Sequence, residues 1–497
     1  MNNTKKKVIV IGGGIAGLSA GIYAQKCGFS ATVLESHSIP GGNCTSWKRG
    51  AYLFEGGMHW LTGSNPKEQL NKVWRYVGAL NDSVRIHTDE PFMGFDHNGT
   101  IIQCYRDVNQ TEKEWISLSP ADAKEIKALC AKIRKVQNLA MPITDIKGVK
   151  VTKKTHLPLS MLFSALSAMK VMSQCTKTSR EQYANRYAHE GLREMIRAYT
   201  TDKSGIMQLV FTMGTLARGD GGFPEGGSLP FARRMAETFT GLGGELLLGT
   251  RADKVIIENG KASGVMTADK KLLADAVIVA ADTMQMDHLF DVPLKADWLD
   301  EMRSVSQPTM CTLVSLGINT DLRKYPQRYY YKPQNPVTLG NETYEYLNFN
   351  NYAGNLVYSP AGKTAITTIL TGDTYDFWKK AKEDGRYKEE KQIIANKIIA
   401  ALVEKIPEAG GKVEVIDVAT PLTYERYCNN WKGSWMTEML PGMRMKTYPA
   451  VIKGLDSVYF AGQRMMPPGG LPIALMSGRT AVQHLCRDNG IVFISEE

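Results

Sequence analysis

The chain has 497 residues, of which 43% are hydrophobic and 22% are charged. This composition is typical of globular proteins and excludes a disordered or fibrous chain. The formal net charge of +10 at pH 7 permits an anionic membrane surface as a partner, and no feature indicates nucleic acid binding. No apolar run of about 18 residues predicts a membrane-spanning helix, and no signal peptide is legible. We therefore expect a cytoplasmic protein, with peripheral membrane contact left open.

The eight cysteines are scattered along the chain, and no two of them form a CxxC pair. They do not cluster with histidines, so the sequence indicates neither a structural zinc site nor an iron–sulfur cluster. We expect no metal, and reduced thiols are the simplest interpretation. No pattern predicts the oligomeric state.

The first predicted elements are a strand, a glycine-rich turn and a helix. Residues 8–11 form a β-branched apolar run, which is typical of a buried parallel strand. Gly12 permits the tight turn that follows, Gly14 lets the backbone approach a pyrophosphate, and Gly17 lets the helix pack closely on the sheet. The helix N-terminus directs partial positive charge toward the phosphates. The cofactor contacts predicted here are Gly12, Gly14, Ile15, Ala16 and Gly17.

A second strand is predicted over residues 31–34, and it ends at Glu35. An acidic residue about 20 positions after such glycines can bind both hydroxyls of a ribose. The same carboxylate would repel a 2′-phosphate, which disfavours NADP at this site. Because strand, turn, helix, strand and acid follow one another in order, the segment predicts a dinucleotide-binding unit.

The segment after Glu35 resembles the second glycine motif of the FAD-dependent amine oxidase and phytoene desaturase superfamily. The matching positions are Gly41, Gly42, Gly50, Phe54, Glu55 and Gly57. Residues 221–265, the apolar strand 274–281 and residues 458–485 resemble later blocks of the same superfamily, so the resemblance covers nearly the whole chain. Two positions depart from the pattern: Gln463 stands where an acidic residue is usual, and Glu55 stands where Asp is commoner.

The resemblance implies an α/β fold, α+β overall, and a non-covalently bound FAD. A discontinuous Rossmann-like FAD-binding domain is expected over residues 1–90, 215–290 and 415–497. A substrate domain with a mixed sheet and helices is expected over residues 91–214 and 291–414. The further cofactor contacts that the resemblance implies are Gly41, Gly42, Met58, His59, Val255, Ala281, Gly462, Gln463, Leu471, Pro472 and Ile473.

A predicted helix over residues 157–172 has apolar residues at helical spacing, serines on the other face and lysines on its flanks. Such a helix can lie in the interface of a bilayer while its lysines meet anionic headgroups. It can equally pack on the core of its own domain, and periodicity does not distinguish the two.

Three short motifs resemble the phytoene desaturase, carotenoid isomerase and retinol saturase branch of the superfamily: residues 56–63, 420–434 and 467–470. This resemblance implies a flavoenzyme that saturates, desaturates or isomerises carbon–carbon double bonds of an isoprenoid, carotenoid-like or other lipid. A flavin amine oxidase is the first alternative, with Tyr427, Trp431 and Trp435 as candidates for its aromatic cage. A non-enzymatic prenyl-binding escort of the same fold is the second.

Saturation of a double bond requires an acid that supplies a proton next to the carbon that receives hydride. His59 is the first candidate because the motif places it beside the flavin. Its alternative role is to pack against the flavin without transferring a proton. Asp220 and Arg218 are the second candidates, and the alternative for both is a solvated turn.

Overall fold

The structure is a computed structural model that describes residues 5–88, 90–139, 141–154, 159–201, 205–440, 443 and 446–496. For residues 159–165 only the backbone is described. The helices of this part of the chain are α1 (Ile15–Lys26), α2 (Gln69–Tyr76), α3 (Val108–Leu118), α4 (Ala123–Val136), α5 (Leu159–Cys175), α6 (Arg180–Ala184), α7 (Glu190–Tyr199), α8 (Met207–Ala217), α9 (Ser228–Gly241), α10 (Asp297–Val305), α11 (Tyr375–Glu383), α12 (Tyr387–Lys405), α13 (Pro421–Cys428) and α14 (Leu471–Asp488).

The strands, numbered in the same way, are β1 (Lys7–Ile11), β2 (Ser30–Leu34), β3 (Ser46–Arg49), β4 (Tyr52–Glu55), β5 (Ile86–His87), β6 (Met93–His97), β7 (Thr100–Cys104), β8 (Phe223–Pro224), β9 (Glu245–Leu247), β10 (Ala252–Glu258), β11 (Lys261–Thr267), β12 (Lys271–Leu273), β13 (Ala276–Val279), β14 (Pro308–Thr309), β15 (Cys311–Ile318), β16 (Arg328–Tyr331), β17 (Val337–Leu339), β18 (Glu342–Tyr344), β19 (Leu347–Asn351), β20 (Thr364–Thr371), β21 (Val413–Ala419), β22 (Met436–Thr437) and β23 (Val458–Phe460).

A five-stranded parallel sheet carries the N-terminal motif. Its order is β23-β13-β1-β2-β9, so β1 lies at the centre between β13 and β2, and β23 and β9 form the edges. Val10 lies opposite Ile278 on one side and Val33 on the other, and Val10 is fully buried. Helices α1 and α14 pack together, and residues of both belong to the core on this sheet. A parallel sheet covered in this way confirms the predicted Rossmann-like arrangement.

A three-stranded antiparallel sheet, in the order β10-β11-β12, stands beside the parallel one. Asn259 and Gly260 join β10 to β11 with φ angles of 52° and 77°. Positive φ at both positions is what a tight hairpin turn requires, and Asn-Gly supplies it at low cost. This hairpin therefore follows from the local sequence, and Val255 is buried in β10.

A seven-stranded mixed sheet forms the second layer of the molecule, in the order β21-β15-β20-β19-β16-β6-β7. The pairs along it are antiparallel except that β16 runs parallel to β6. One helix, α12, packs its apolar face on strands of this sheet, and α3 to α8 contribute to a separate core with β6 and β7. Mixed sheet plus helices is the architecture expected for the substrate domain, and the α/β fold class is confirmed.

The predicted domain limits remain a proposal, which we refine at two points. Strand β21 spans the limit at 415 and pairs with β15, so we place the limit after Ala419. Residues 141–153 pack on the FAD-binding unit, since Ile143 joins its core and Val151 forms a bridge with Phe493.

The helix predicted over residues 157–172 corresponds to α5, and residues 157 and 158 lie outside the described residues. Its side chains are described from position 166 onward. Ala168, Val171 and Cys175 are buried, whereas Leu166 and Met169 are 58% and 59% exposed. Within the described ranges, we find no helix whose length and apolar character would let it cross a bilayer.

Candidate active site

The turn between β1 and α1 is shaped by two glycines that leave no room for a side chain. Gly12 has a φ of 106°, and a Cβ there would lie 2.9 Å from the carbonyl oxygen of Ala280. A Cβ on Gly17 would lie 1.8 Å from the carbonyl oxygen of Gly12. Both positions therefore require glycine for packing alone, which fits the predicted roles of tight turn and close helix approach.

Gly14 differs from these two glycines because it faces free space. A Cβ built on it would find no atom nearer than 3.9 Å. Gly14 is the extended N-cap of α1 and makes no side-chain capping bond. The first backbone amides of a helix have no partner within it, and together with the helix dipole they attract an anion. This turn, with Ile15 and Ala16 at the start of the helix, fits a pyrophosphate group.

Glu35 is held in place at the end of β2. Its Oε2 accepts a hydrogen bond of 2.7 Å from the Gly13 amide, and its Oε1 accepts one of 2.8 Å from the His37 amide. The residue is 8% exposed. A carboxylate fixed in this way has lone pairs left for the two hydroxyls of a ribose, so the geometry fits the predicted role.

The second glycine pair folds back on the first turn. Gly41 donates a 2.9 Å hydrogen bond to the carbonyl of Gly13 and forms an isolated bridge with Gly14. Its φ is 119°, and a Cβ there would lie 2.6 Å from the Cys44 carbonyl oxygen. Gly42 follows with a φ of 57°. The two glycine motifs thus form one side of the same site, as the resemblance implies.

We call the two glycine turns and the segments opposite them the FAD cradle. The segments opposite the glycine turns begin where β13 and β23 end side by side. Ala281 follows β13, and Gly462 follows β23. Asp282, the residue after Ala281, and Arg464, two residues after Gly462, form a buried ion pair with atoms 2.9 Å apart. Asp282 also accepts a 3.0 Å hydrogen bond from the amide of Trp431. Sequence reasoning missed this pair, since its members are 182 residues apart and neither belongs to a glycine motif.

The N-terminus of α14 completes the cradle. Gly470 is its N-cap with a φ of 89°, and no side chain caps the helix. Gln463 Oε1 lies 3.4 Å from the Gly470 amide, so the residue that replaces the usual acid contacts the helix start. The amides of the first turn fit an anionic or carbonyl oxygen of a flavin. This turn contains Leu471, Pro472 and Ile473.

His59 follows β4 and belongs to the other end of the site. Both of its ring nitrogens are buried without a hydrogen-bond partner, and its ring centroid lies 5.5 Å from that of Trp435. Arg328 donates a hydrogen bond to the His59 carbonyl. Burial, helped by the positive charge of Arg328, lowers the pKa of His59 to about 3. The imidazole is therefore neutral at pH 7 in this state.

Glu55 orients the segment that leads to His59. Its carboxylate is fully buried and accepts hydrogen bonds of 3.0, 3.1 and 3.2 Å from the amides of Ser228, Gly57 and Met58. Burial raises the pKa of Glu55 to about 6, although these hydrogen bonds oppose the rise. Met58 is buried as well and donates a 2.7 Å bond to Ser228 Oγ.

Asp220 is buried and anchors the loop just after His59. Its carboxylate accepts hydrogen bonds from the amides of Gly63 at 2.9 Å, Ser64 at 2.8 Å and Asn65 at 3.2 Å. Arg218 lies 3.4 Å from this carboxylate. Arg218 also pairs with Glu68 at 2.8 Å and donates to the carbonyls of residues 137 and 139. Neither residue is a solvated turn, and we propose that both position the loop.

A cleft of about 1060 Å³ lies between the loop after β2 and helices α11 to α13. Its lining includes Glu35 at one end and the aromatic residues Trp47 and Tyr424. Tyr424 donates a 3.0 Å hydrogen bond to the Gly56 carbonyl and packs edge-on against Trp435 at 5.5 Å. Because Trp435 contacts His59 in turn, the cleft wall continues toward the His59 end of the site.

Comparison with known proteins agrees with this geometry. Residues 15–486 match the family described as flavin containing amine oxidoreductase. The fold and the site define a flavin-dependent oxidoreductase, and the chain belongs to this family. The predicted family, the FAD cofactor and the enzyme class are thereby confirmed.

Curated relatives and solved structures overlap most of the chain. All-trans-retinol 13,14-reductase of Danio rerio is 21% identical over 473 residues, which cover 84% of this chain and 75% of the relative. Chloroplastic prolycopene isomerase of Daucus carota is 22% identical, with coverage of 97% and 80%. An oxidoreductase from Methanosarcina mazei has a TM-score of 0.59 at 17% identity, covering 96% of this chain and 100% of that one. This last likeness shows the fold alone.

Proposed function

We propose that the protein is an FAD-dependent oxidoreductase that saturates, desaturates or isomerises carbon–carbon double bonds of an isoprenoid-like or other lipid. The names of the retinol reductase and the prolycopene isomerase, two relatives that overlap most of the chain, support this proposal. A bound FAD supplies hydride transfer to or from carbon. The chain supplies the cradle described above, and no covalent attachment is needed to explain retention of the cofactor.

The charge near His59 is the observation that carries this proposal over an amine oxidase. Arg328 donates a hydrogen bond to the His59 carbonyl. Burial is the larger cause of the lowered pKa of His59, and the Arg328 guanidinium adds to it because it repels a second positive charge beside it. A protonated amine at the same place would meet the same repulsion. A neutral or anionic substrate would not, so the electrostatics favour a lipid over an amine.

The three aromatic residues suggested for an amine cage support the same choice. The ring of Tyr427 packs edge-on against His37, near the ribose carboxylate. The ring of Trp431 lies 5.4 Å from the Arg464 guanidinium, and only Trp435 contacts His59. Each of the three rings thus contacts a different group. An aromatic cage around an ammonium group requires rings that face one common space, so this arrangement does not favour such a cage.

The free site holds His59 neutral, so we propose that its ring becomes protonated in the substrate complex and supplies the proton from a ring nitrogen. Its two ring nitrogens have no protein partner, so either one is free to contact a substrate. Glu55 and Asp220 act as positioning residues, since their carboxylates hold the segments on both sides of His59. The cleft beside Tyr424 has both aromatic and charged residues in its lining, and it is our candidate for the path of the substrate toward this histidine.

An anaerobic incubation tests the function directly. The FAD-loaded protein, oxidised in one series and reduced in another, is incubated with a panel of polyenes, and products are identified by mass. We expect a gain of two hydrogens, a loss of two hydrogens, or an isomer of unchanged mass separated by chromatography. A parallel panel of primary amines with oxygen is the control. Amine consumption with no change in any polyene would overturn the proposal.

We also propose that the outer face of α5 contacts a membrane surface. Leu166 and Met169 are more than half exposed on this helix, and exposed lysines lie on it and on either side of it along the chain. Apolar side chains flanked by lysines suit the interface of an anionic bilayer. The lysines concerned are Lys153, Lys154, Lys170 and Lys177.

Co-sedimentation with vesicles of anionic phospholipid tests this contact. The double variant Leu166→Ser, Met169→Ser should lose most of the bound fraction. Leu273→Ser is the matched control, because Leu273 is 63% exposed on β12, which belongs to a different unit. Equal binding by all three proteins would contradict the assignment to α5.

A further inference from the structure

A small polar cavity is lined in part by His59, and none of its lining residues lines the larger cleft beside Tyr424. Its volume is about 20 Å³, which is enough for one polar group of the size of a water molecule. Two short sheets frame it. Arg328 and Asn350 face each other across β16 and β19, and His87 faces Phe223 across β5 and β8. Cross-strand partners project to the same side of a sheet.

Several polar atoms of the residues that line this cavity find no hydrogen-bond partner in the described part of the chain. They are Nδ1 and Nε2 of His59, Nε2 of His87 and Nδ2 of Asn350, all of them buried. A buried polar atom without a partner costs free energy, so native proteins rarely retain one without a reason. These atoms belong to three residues from different parts of the chain that all line one small space, and we infer that a polar ligand group belongs there.

The sign of the charge identifies that group. Arg106 and Arg328 both line the cavity, and their guanidinium carbons lie 5.8 Å and 4.3 Å from the ring centroid of Phe92. The described lining contains no carboxylate. Glu90 lies 3.9 Å from Arg106 but is outside the lining and 42% exposed. Guanidinium groups match carboxylates in geometry, and a desolvated pair of this kind is strong.

We propose that this cavity binds the carboxylate of the substrate, so that the enzyme acts on an apolar acid and not on a pure hydrocarbon. The proposal rests on the proposed function and narrows its substrate class. The acid group occupies the space between Arg106, Arg328 and Asn350, and the apolar chain leaves past His59. With the acid group held in the cavity, the distance of a double bond from that group along the substrate determines whether this bond lies beside His59.

Binding of three matched probes to the FAD-loaded protein tests the proposal. The probes are all-trans-retinoic acid, its methyl ester and all-trans-retinol, which share one polyene and differ at the polar end. Dissociation constants come from fluorescence titration. We expect the acid to bind at least about tenfold more tightly than the ester, which corresponds to about 1.4 kcal/mol.

Three variants locate the effect. Arg328→Met should remove the preference for the acid while the ester binds as before, and Asn350→Leu should reduce the preference by several fold. Arg193→Met is the matched control, because Arg193 also donates to backbone carbonyls but lies outside the cavity. Flavin content and the unfolding midpoint of each variant report whether it has folded.

The outcomes separate this inference from the proposed function. An acid preference that depends on Arg328 supports the cavity, even when no polyene is converted and the function fails. Conversion of polyenes with equal affinity for acid and ester would overturn the cavity assignment and leave the function standing. An acid preference unchanged in Arg328→Met would also overturn it, because the carboxylate would then bind elsewhere.

Discussion

The two ends of the site are built in opposite ways. The phosphate end is almost entirely backbone: Gly12, Gly14 and Gly17 lie within one turn, and Glu35 follows on the next strand. The His59 end is made of side chains from distant segments, with Trp435 and Arg328 against the same histidine. At the phosphate end, glycines leave space for the cofactor because they have no side chain. At the His59 end, the charge and burial of side chains determine the properties of the site.

We expect the phosphate end to determine the affinity for the cofactor and the His59 end to determine the rate of the reaction. At the phosphate end the attraction comes from helix amides, which are fixed by the fold and do not titrate. At the His59 end the attraction depends on ionisation states, which neighbouring groups shift. Burial lowers the pKa of His59 and raises that of Glu55. Substitutions at the first end should change cofactor binding, and those at the second should change turnover.

The largest effect is expected from Gly14→Val. The free space beside Gly14 means that the apoprotein accommodates the side chain, yet the β-branched group occupies the place of the pyrophosphate. We expect a folded protein that retains no flavin. Absorbance of the purified protein, together with its circular dichroism, measures both properties.

Gly241→Ala is the control for that substitution. Gly241 ends α9, and a Cβ there meets no atom within 4 Å. Flavin content should equal that of the wild type, and stability should rise slightly, by at most about 1 kcal/mol. Retention of flavin by Gly14→Val would show that the pyrophosphate lies elsewhere.

The next largest effect is expected from His59→Gln, and it appears in turnover. Glutamine keeps a hydrogen-bond donor but carries no transferable proton. If His59 is the acid, turnover falls by about 10²–10⁴-fold and flavin binding remains. Burial is the larger cause of the lowered pKa of His59, and a carboxylate beside Arg328 would offset only the smaller one, the positive charge of that residue. Wild-type turnover in His59→Gln would assign the ring to packing alone.

The sequence predicts these two ends unequally. The dinucleotide-binding unit could be predicted from local spacing alone. Residues 8–35 contain, in order, a strand, three glycines, a helix and an acidic residue, which is the pattern of such a unit. His59 was found only through resemblance to a family. Arg328, Arg106 and His87 carry no motif, and the pairing of β16 with β19 that brings Arg328 to Asn350 depends on the register of a seven-stranded sheet. The pairing register of strands that are not adjacent in the chain cannot be predicted from a single sequence.

A smaller effect on affinity is expected from Glu35→Ala. The substitution leaves two ribose hydroxyls and the Gly13 amide without their charged acceptor. The loss is on the order of 1.5–3 kcal/mol, so FAD affinity should fall by about tenfold or more. Glu35→Gln keeps one acceptor oxygen and should lose less. Titration of the apoprotein with FAD measures both, and an unchanged affinity in Glu35→Ala would mean that another residue binds the ribose.

The last prediction uses Glu55 to test whether burial governs the His59 end. The pKa of Glu55 is raised from 4.5 to about 6, with burial as the largest cause. An acid whose pKa is higher in the folded state stabilises the fold fully below its unfolded pKa and loses that contribution as the pH rises through the folded value. The difference corresponds to about 2 kcal/mol.

Unfolding of the wild type and of Glu55→Gln is therefore compared from pH 4 to pH 8. Glutamine does not ionise, so the stability of the wild type relative to this variant should decline by about 2 kcal/mol between about pH 4.5 and pH 6 and then level off. Glu237→Gln, on the exposed face of α9, controls for the loss of one carboxylate. A relative stability that increases with pH would mean that the amides of Gly57, Met58 and Ser228 outweigh burial, and that the His59 end is governed by backbone dipoles as the phosphate end is.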